Sequence, residues 1–360
     1  MMKRLFMTVL AVLLLPTPVA AAELPEELLA SADSTTRIIA EQRELRSVAD
    51  FTAGALEILQ TIRPELEKWV RSAVKSAVLL MIVVVAAGLA ESFFSAAGGN
   101  LAVDPVVLAG VFAMAGIAVR DMDGLLETAR QMLTELDSFT TALLPTLFAA
   151  VAATGAVTTA SAQQLVAAWL SAALVRFVST VLMPLLLCYL ALITASAALP
   201  EHPLSFLAES LKKGMTWLLG GILSAFTAYL SLTHVLSGSA DAVTVRLTKA
   251  TLSSVVPVVG DILSGTAETV LAGAGLMKNA VGIVGLLGVL SVSLLPFLAM
   301  LAQYFCYRVA AAAASVTGGG GLTSYLEKLG GAFGLLLGMV GSCVLLVFIA
   351  VFAAIAVVAP

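Results

Sequence analysis

Residues 329–360 read Leu329-Gly330-Gly331-Ala332-Phe333-Gly334-Leu335-Leu336-Leu337-Gly338-Met339-Val340-Gly341-Ser342-Cys343 and continue VLLVFIAVFAAIAVVAP, with no charged residue anywhere. An α-helix needs about 20 apolar residues to cross the hydrocarbon core of a bilayer, and this run exceeds that. The pattern repeats upstream: after residue 73 the chain is a series of long apolar stretches separated by short, weakly charged loops. Hydrophobic residues make up 60% of the 360 and charged residues only 12%, about half the charged share of a soluble domain. The reading is an all-α, polytopic integral membrane protein.

Seven spans are expected, at about 74–90, 104–119, 139–160, 177–199, 215–236, 280–306 and 332–358, accompanied by amphipathic or re-entrant helices. The second is short, because Asp104-Pro105 precedes it and Arg120 ends it. The third is rich in threonine. Between these two, Met122, Leu125, Leu126, Ala129, Met132, Leu133 and Leu136 form one stripe of a helix over Asp121–Asp137, with acids and Arg130 on the other face. That stripe fits a membrane interface, a neighbouring subunit or a plain connecting helix.

The chain begins with Lys3 and Arg4, an apolar core from Leu5 to Leu15, and Ala20-Ala21-Ala22. This is the layout of a secretory signal peptide, so 1–22 is expected to be removed. Residues 23–72 then form an extracytoplasmic amphipathic region, and 73–360 the polytopic membrane domain. In the second region Leu45, Val48, Thr52, Leu56, Leu59, Ile62, Leu66 and Trp69 recur at helical spacing, with Pro64 as a kink or a new first turn. The basic residues Lys68, Arg71 and Lys75 would then lie outside, against the positive-inside bias. The signal peptide therefore fixes the sidedness of the first segment alone.

Two features bear on function. Residues 251–280 combine Pro257 and Gly260 with a helical face of Asp261, Ser264, Gly265, Glu268 and Ala272. Two carboxylates on one face are costly against lipid. The segment is either re-entrant, with Asp261, Ser264 and Glu268 facing a water-filled path, or an interfacial helix with its acids in water. Secondly, Gly330, Gly334, Gly338 and Ser342 stand four apart and form a ridge that another helix can approach closely. Gly282, Gly285 and Gly288 stand three apart. Arg176, between two apolar stretches, either snorkels to an interface or faces a cavity.

Catalytic patterns do not emerge. His202 and His234 are distant, and Cys188, Cys306 and Cys343 are solitary within or beside apolar spans. No disulfide, zinc or other cofactor framework follows. The Gly318–Gly321 run lacks the Lys-Ser/Thr of a phosphate loop and reads as a connector. A net charge of −4 with dispersed basic residues gives no nucleic-acid footprint.

The block Ser253-Ser254-Val255-Val256-Pro257-Val258-Val259-Gly260, with Glu268-Thr269-Val270-Leu271 and Leu276-Met277-Lys278-Asn279-Ala280-Val281-Gly282-Ile283-Val284-Gly285-Leu286-Leu287, resembles the stage III sporulation protein AE family of endospore-forming bacteria. Leu143-Leu144-Pro145, Thr154-Gly155-Ala156-Val157-Thr158 and the order of helices add to the resemblance, which covers roughly 45–360. The Gly318–Gly321 connector departs from the more polar loop of that pattern. The resemblance implies a mother-cell membrane protein in the channel between mother cell and forespore. It also implies partners: other stage III sporulation membrane proteins and a separate cytoplasmic ATPase. The expectation is a non-enzymatic membrane subunit of that secretion-like complex. The alternative is an independent secondary transporter using Asp261, Glu268 or Arg176, and a pore-less scaffold is a third reading.

Overall fold

The computed structural model describes residues 48–96, 105–154, 157–199, 204–226, 228–229, 260–316 and 320–356. Among these residues there are helices and no strands. In chain order they are α1 (Val48–Ala96), α2 (Pro105–Ala153), α3 (Val157–Phe177), a π-helical turn (Val178–Leu182), α4 (Met183–Ala198), α5 (204–226), α6 (Gly260–Ser315) and α7 (Gly320–Ala356). The signal-peptide region, Pro257, His202 and His234 lie outside the described residues.

Among the described residues, five helices are long and apolar enough to cross a membrane: Phe51–Phe93, Pro105–Ala153, Gln164–Ala198, Lys278–Ser315 and Gly320–Ile355. The seven expected spans do not map onto them one to one. Residues 104–119 and 139–160 were expected as separate crossings, but 105–119 and 139–153 are two ends of the single helix α2. One continuous helix crosses once at most. Residues 215–236 fall partly outside the described set. The remaining expected spans overlap α1, α3–α4, α6 and α7, with 199 just past the end of α4 and 357–358 outside the described residues.

In α1 the buried positions Ala73, Ala77, Leu80, Val84 and Ala87 alternate steps of four and three, the spacing that keeps one seam against a neighbouring helix. The opposite face is equally apolar, with Val74, Val78, Leu79, Ile82 and Leu89 exposed. A helix apolar all round, with one side open, belongs against hydrocarbon. Further toward its N-terminus the expected stripe holds at Ile62 and Trp69 and fails at Leu56 and Leu59. Leu56 and Leu59 are exposed, and Ile58 is buried with Phe51, Ala55, Ile62 and Trp69 packed beside the core. Pro64 sits inside a continuous helix.

Helix α2 carries its buried seam for its whole length. The stripe expected at an interface or a neighbouring subunit is core of this chain: Met122, Leu125, Leu126, Ala129, Met132, Leu133 and Leu136 are all at most 2% exposed. Only the outer face changes, from Phe112 and Val119 to Asp123, Glu127, Arg130 and Glu135. Three threonines of the third expected span are satisfied by backbone carbonyls a turn earlier. Thr140, Thr141 and Thr154 hydroxyls donate to Leu136, Asp137 and Val151 carbonyls at 2.6, 2.8 and 2.7 Å, which removes the cost of bare hydroxyls in an apolar setting.

Pro184 has no N–H to continue the ladder, and the chain meets it with a π-turn in which the Met183 N–H bonds to the Val178 carbonyl. The Ser179 hydroxyl donates to the carbonyls of Val175 and Arg176 at 2.8 and 3.2 Å. The rod Gln164–Ala198 therefore stays helical through the turn, and exposed Arg176 sits just before it. Helix α6 is central, packing on α7, α1 and α2.

Candidate functional site

Three elements converge on one acid. Asp121 of α2 occupies the buried seam between Ala118 and Leu125, on a face otherwise made of apolar residues. Its Oδ1 accepts from the Ser76 hydroxyl of α1 at 3.1 Å. Its Oδ2 accepts from Gln303 Nε2 at 2.7 Å and from the Tyr307 hydroxyl at 2.8 Å, both on α6. Ser76, Gln303 and Tyr307 are 9%, 6% and 0% exposed. Tyr307 also rests on Phe333 of α7, with ring centroids 4.5 Å apart. Asp121 itself is half-buried; a carboxylate withdrawn from water is tolerated when donors surround it, and charge strengthens each bond. This arrangement ties α1, α2 and α6 in register. Its signal in the sequence was position: Asp121 keeps the three- and four-residue spacing of the buried stripe, whereas Asp123 and Glu127 do not.

The expected glycine ridge faces α6 of the same chain at one end. A Cβ at Gly330 would stand 3.4 Å from Arg308 Cδ, and one at Gly334 would stand 3.0 Å from Tyr304 Cε2. At Gly338 it would meet nothing within 4 Å. Ser342 donates to the Gly338 carbonyl at 2.7 Å. Gly334, Gly338 and Ser342 instead line a groove of about 1010 Å³ between α6 and α7. The tightest helix contacts come from the other glycine set. A Cβ at Gly285 would stand 2.8 Å from Leu143 Cδ1, and those at Gly282 and Gly288 would overlap Ile355 and the Phe139 ring.

Asp261, Ser264 and Glu268 lie in the first turns of α6, and their side chains lie outside the described residues. The structure does not bring them to the Asp121 cluster by any described contact. Gly320 and Gly321, expected in a connector, are the first residues of α7. Cys188 is exposed, Cys306 half-buried and Cys343 buried, all as free thiols.

The family model described as stage III sporulation protein AE matches residues 45–358. The chain belongs to the stage III sporulation protein AE family. That match covers every described helix of this family member, from the first turn of α1 to the end of α7. The stage III sporulation protein AE of Bacillus subtilis (strain 168) is 25% identical over 201 residues, covering 56% of this chain and 50% of that protein. The matched part thus spans about half the length of the curated relative. No solved structure matches the chain.

Proposed function

We propose that this protein is a non-enzymatic membrane subunit of the channel that joins mother cell and forespore, a secretion-like complex required for endospore formation. The observation that carries this reading is the family match over 45–358, which takes in the whole helical body rather than one motif. In this reading the protein sits in the mother-cell membrane around the forespore. It assembles with other stage III sporulation membrane proteins, and a separate cytoplasmic ATPase supplies the energy.

The deciding experiment is deletion in an endospore former, followed by measurement of solute passage into the engulfed forespore. The expected result is developmental arrest with loss of passage, both restored by the wild-type gene. Normal spores from the deletion strain would sink the proposal. One observation favours the second reading, an independent secondary transporter: a hydrogen-bonded acid inside the helical bundle at Asp121, since such acids mark ion pathways in transporters. Purified protein alone in liposomes discriminates. Solute flux that Asp121→Asn abolishes would favour the transporter; no flux without partners favours the channel subunit.

A further inference from the structure

The groove between α6 and α7 is apolar along its length and cationic at one end. Its walls include Leu290, Phe297 and Phe348, and its floor is formed by Gly334, Gly338 and Gly341. From Leu290 to Arg308 it follows eighteen residues of α6, about 27 Å at the helical rise, close to the roughly 30 Å of a hydrocarbon core. Three hydroxyl-bearing residues line it: Ser293 donates to Val289 at 2.6 Å and Ser342 to Gly338 at 2.7 Å, each within its own helix, and Tyr304 stands at the cationic end. Away from Tyr304 and the charged end, the wall makes no polar demand on an occupant.

At the mouth, two cations converge over adjacent glycines. Lys212 Nζ stands 3.6 Å from a Cβ position on Gly331, and the Arg308 side chain stands 3.4 Å from one on Gly330. Arg308 also lies over the Tyr304 ring, 5.9 Å from its centroid. Glu327 lines the same end. Yet neither Lys212 nor Arg308 is in an ion pair among the described residues. Glu209 also acts electrostatically on Tyr189, which shares the Gly331 position with Lys212, so two acids stand near the two cations while neither cation is directly paired.

We propose that this groove holds one anionic phospholipid, its phosphate between Lys212 and Arg308 and an acyl chain along the glycine floor. Basic pockets between membrane helices suit anionic headgroups, and a phosphate diester accepts from an ammonium and a guanidinium together. A partner helix could use the same glycines but would need its own acid to answer two cations. The two adjacent cations and the apolar remainder of the wall fit the lipid.

The test uses the full-length protein reconstituted in vesicles of equal parts phosphatidylglycerol and phosphatidylcholine, then extracted in mild detergent for native mass spectrometry. Wild type should retain one phosphatidylglycerol per chain. Replacing both Lys212→Ala and Arg308→Ala should lower that retention roughly thirtyfold, from about fivefold per basic residue, with the unfolding midpoint in pure phosphatidylcholine unchanged. Gly338→Phe, projecting into the groove, should displace the lipid while both cations remain. Equal retention of the two lipids by wild type would overturn the proposal, and so would undiminished phosphatidylglycerol on the double variant. Displacement of the lipid by inorganic phosphate would overturn it in favour of a plain anion site. Selective loss of a tightly held membrane protein from Gly338→Phe, with lipid unaffected, would give the groove to a partner helix.

Discussion

At Gly288 a methyl group in place of hydrogen would overlap the ring of Phe139, while the same methyl at Gly338 would point into open groove. Overpacking a tight helix contact costs about 1–3 kcal/mol. Replacing glycine by alanine in an open helix interior favours the helix by up to about 1 kcal/mol. Gly288→Ala should therefore lower the thermal midpoint of the detergent-solubilised protein, and Gly338→Ala should leave it unchanged or raise it. Equal midpoints for the two variants would contradict this packing. The Asp121 cluster makes a second prediction. Tyr307→Phe removes one of two donors to Oδ2, and a hydrogen bond to a charged group is worth about 1.5–3 kcal/mol. Asp121→Ala strands three donors at once and should cost more. Combining the two changes should cost clearly less than the sum of the singles, because both remove the same bond. Additive losses would show that the tyrosine and the acid act independently.

At the scale of the element, α6 changes composition along its length. Its later part is core, with Val284, Leu287, Val289 and Met300 buried, while its first turns carry Asp261, Ser264 and Glu268 on one face. Whether this face lines a water-filled path, one of the two readings of 251–280, is tested by single cysteines through 261–275 in a background lacking the native thiols. Labelling by a water-soluble reagent should peak every three to four residues, at positions 261, 264, 268 and 272. Uniform protection of those four would end the idea, and Glu268→Leu should impair solute passage only if the face is wet. Helix α2 shows why its two apolar ends look like separate spans in the sequence. The polar outer face of Asp123–Glu135 dominates the local composition, but the inner seam never breaks. Periodicity on the buried face, not average hydropathy, carried the continuity of that helix.

At the scale of the whole molecule, the proposed topology places residues 23–72 outside the cytoplasm. A single cysteine at Ser47, in a background lacking native thiols, should react with an impermeant thiol reagent added to intact cells. Labelling only after lysis would reverse that orientation. The mature N-terminus should begin near Glu23, and mass analysis finding Met1 or Met2 intact would reject cleavage.

The sequence by itself determined the class of this molecule. Uncharged runs such as 329–360 can be satisfied only by helices in hydrocarbon, because a helix bonds its own backbone where water is absent. The block around Met277-Lys278-Asn279-Ala280-Val281-Gly282 likewise sufficed for the family, which the match over 45–358 shows. What only the tertiary structure decided was which apolar face meets protein and which is left open. In the first turns of α1 a spacing drawn through Leu56 and Leu59 to Ile62 looks as good as the one through Phe51, Ala55 and Ile58 that the structure buries, and both meet at Ile62. Partner surfaces break that degeneracy. The same holds for Asp121, Ser76, Gln303 and Tyr307: they are 45 to 186 residues apart in pairing, and only the packing of three helices makes them one site. It holds too for the glycines, whose spacing was plain but whose neighbours, Phe139 at one and an open groove at another, are set by how α2, α6 and α7 cross.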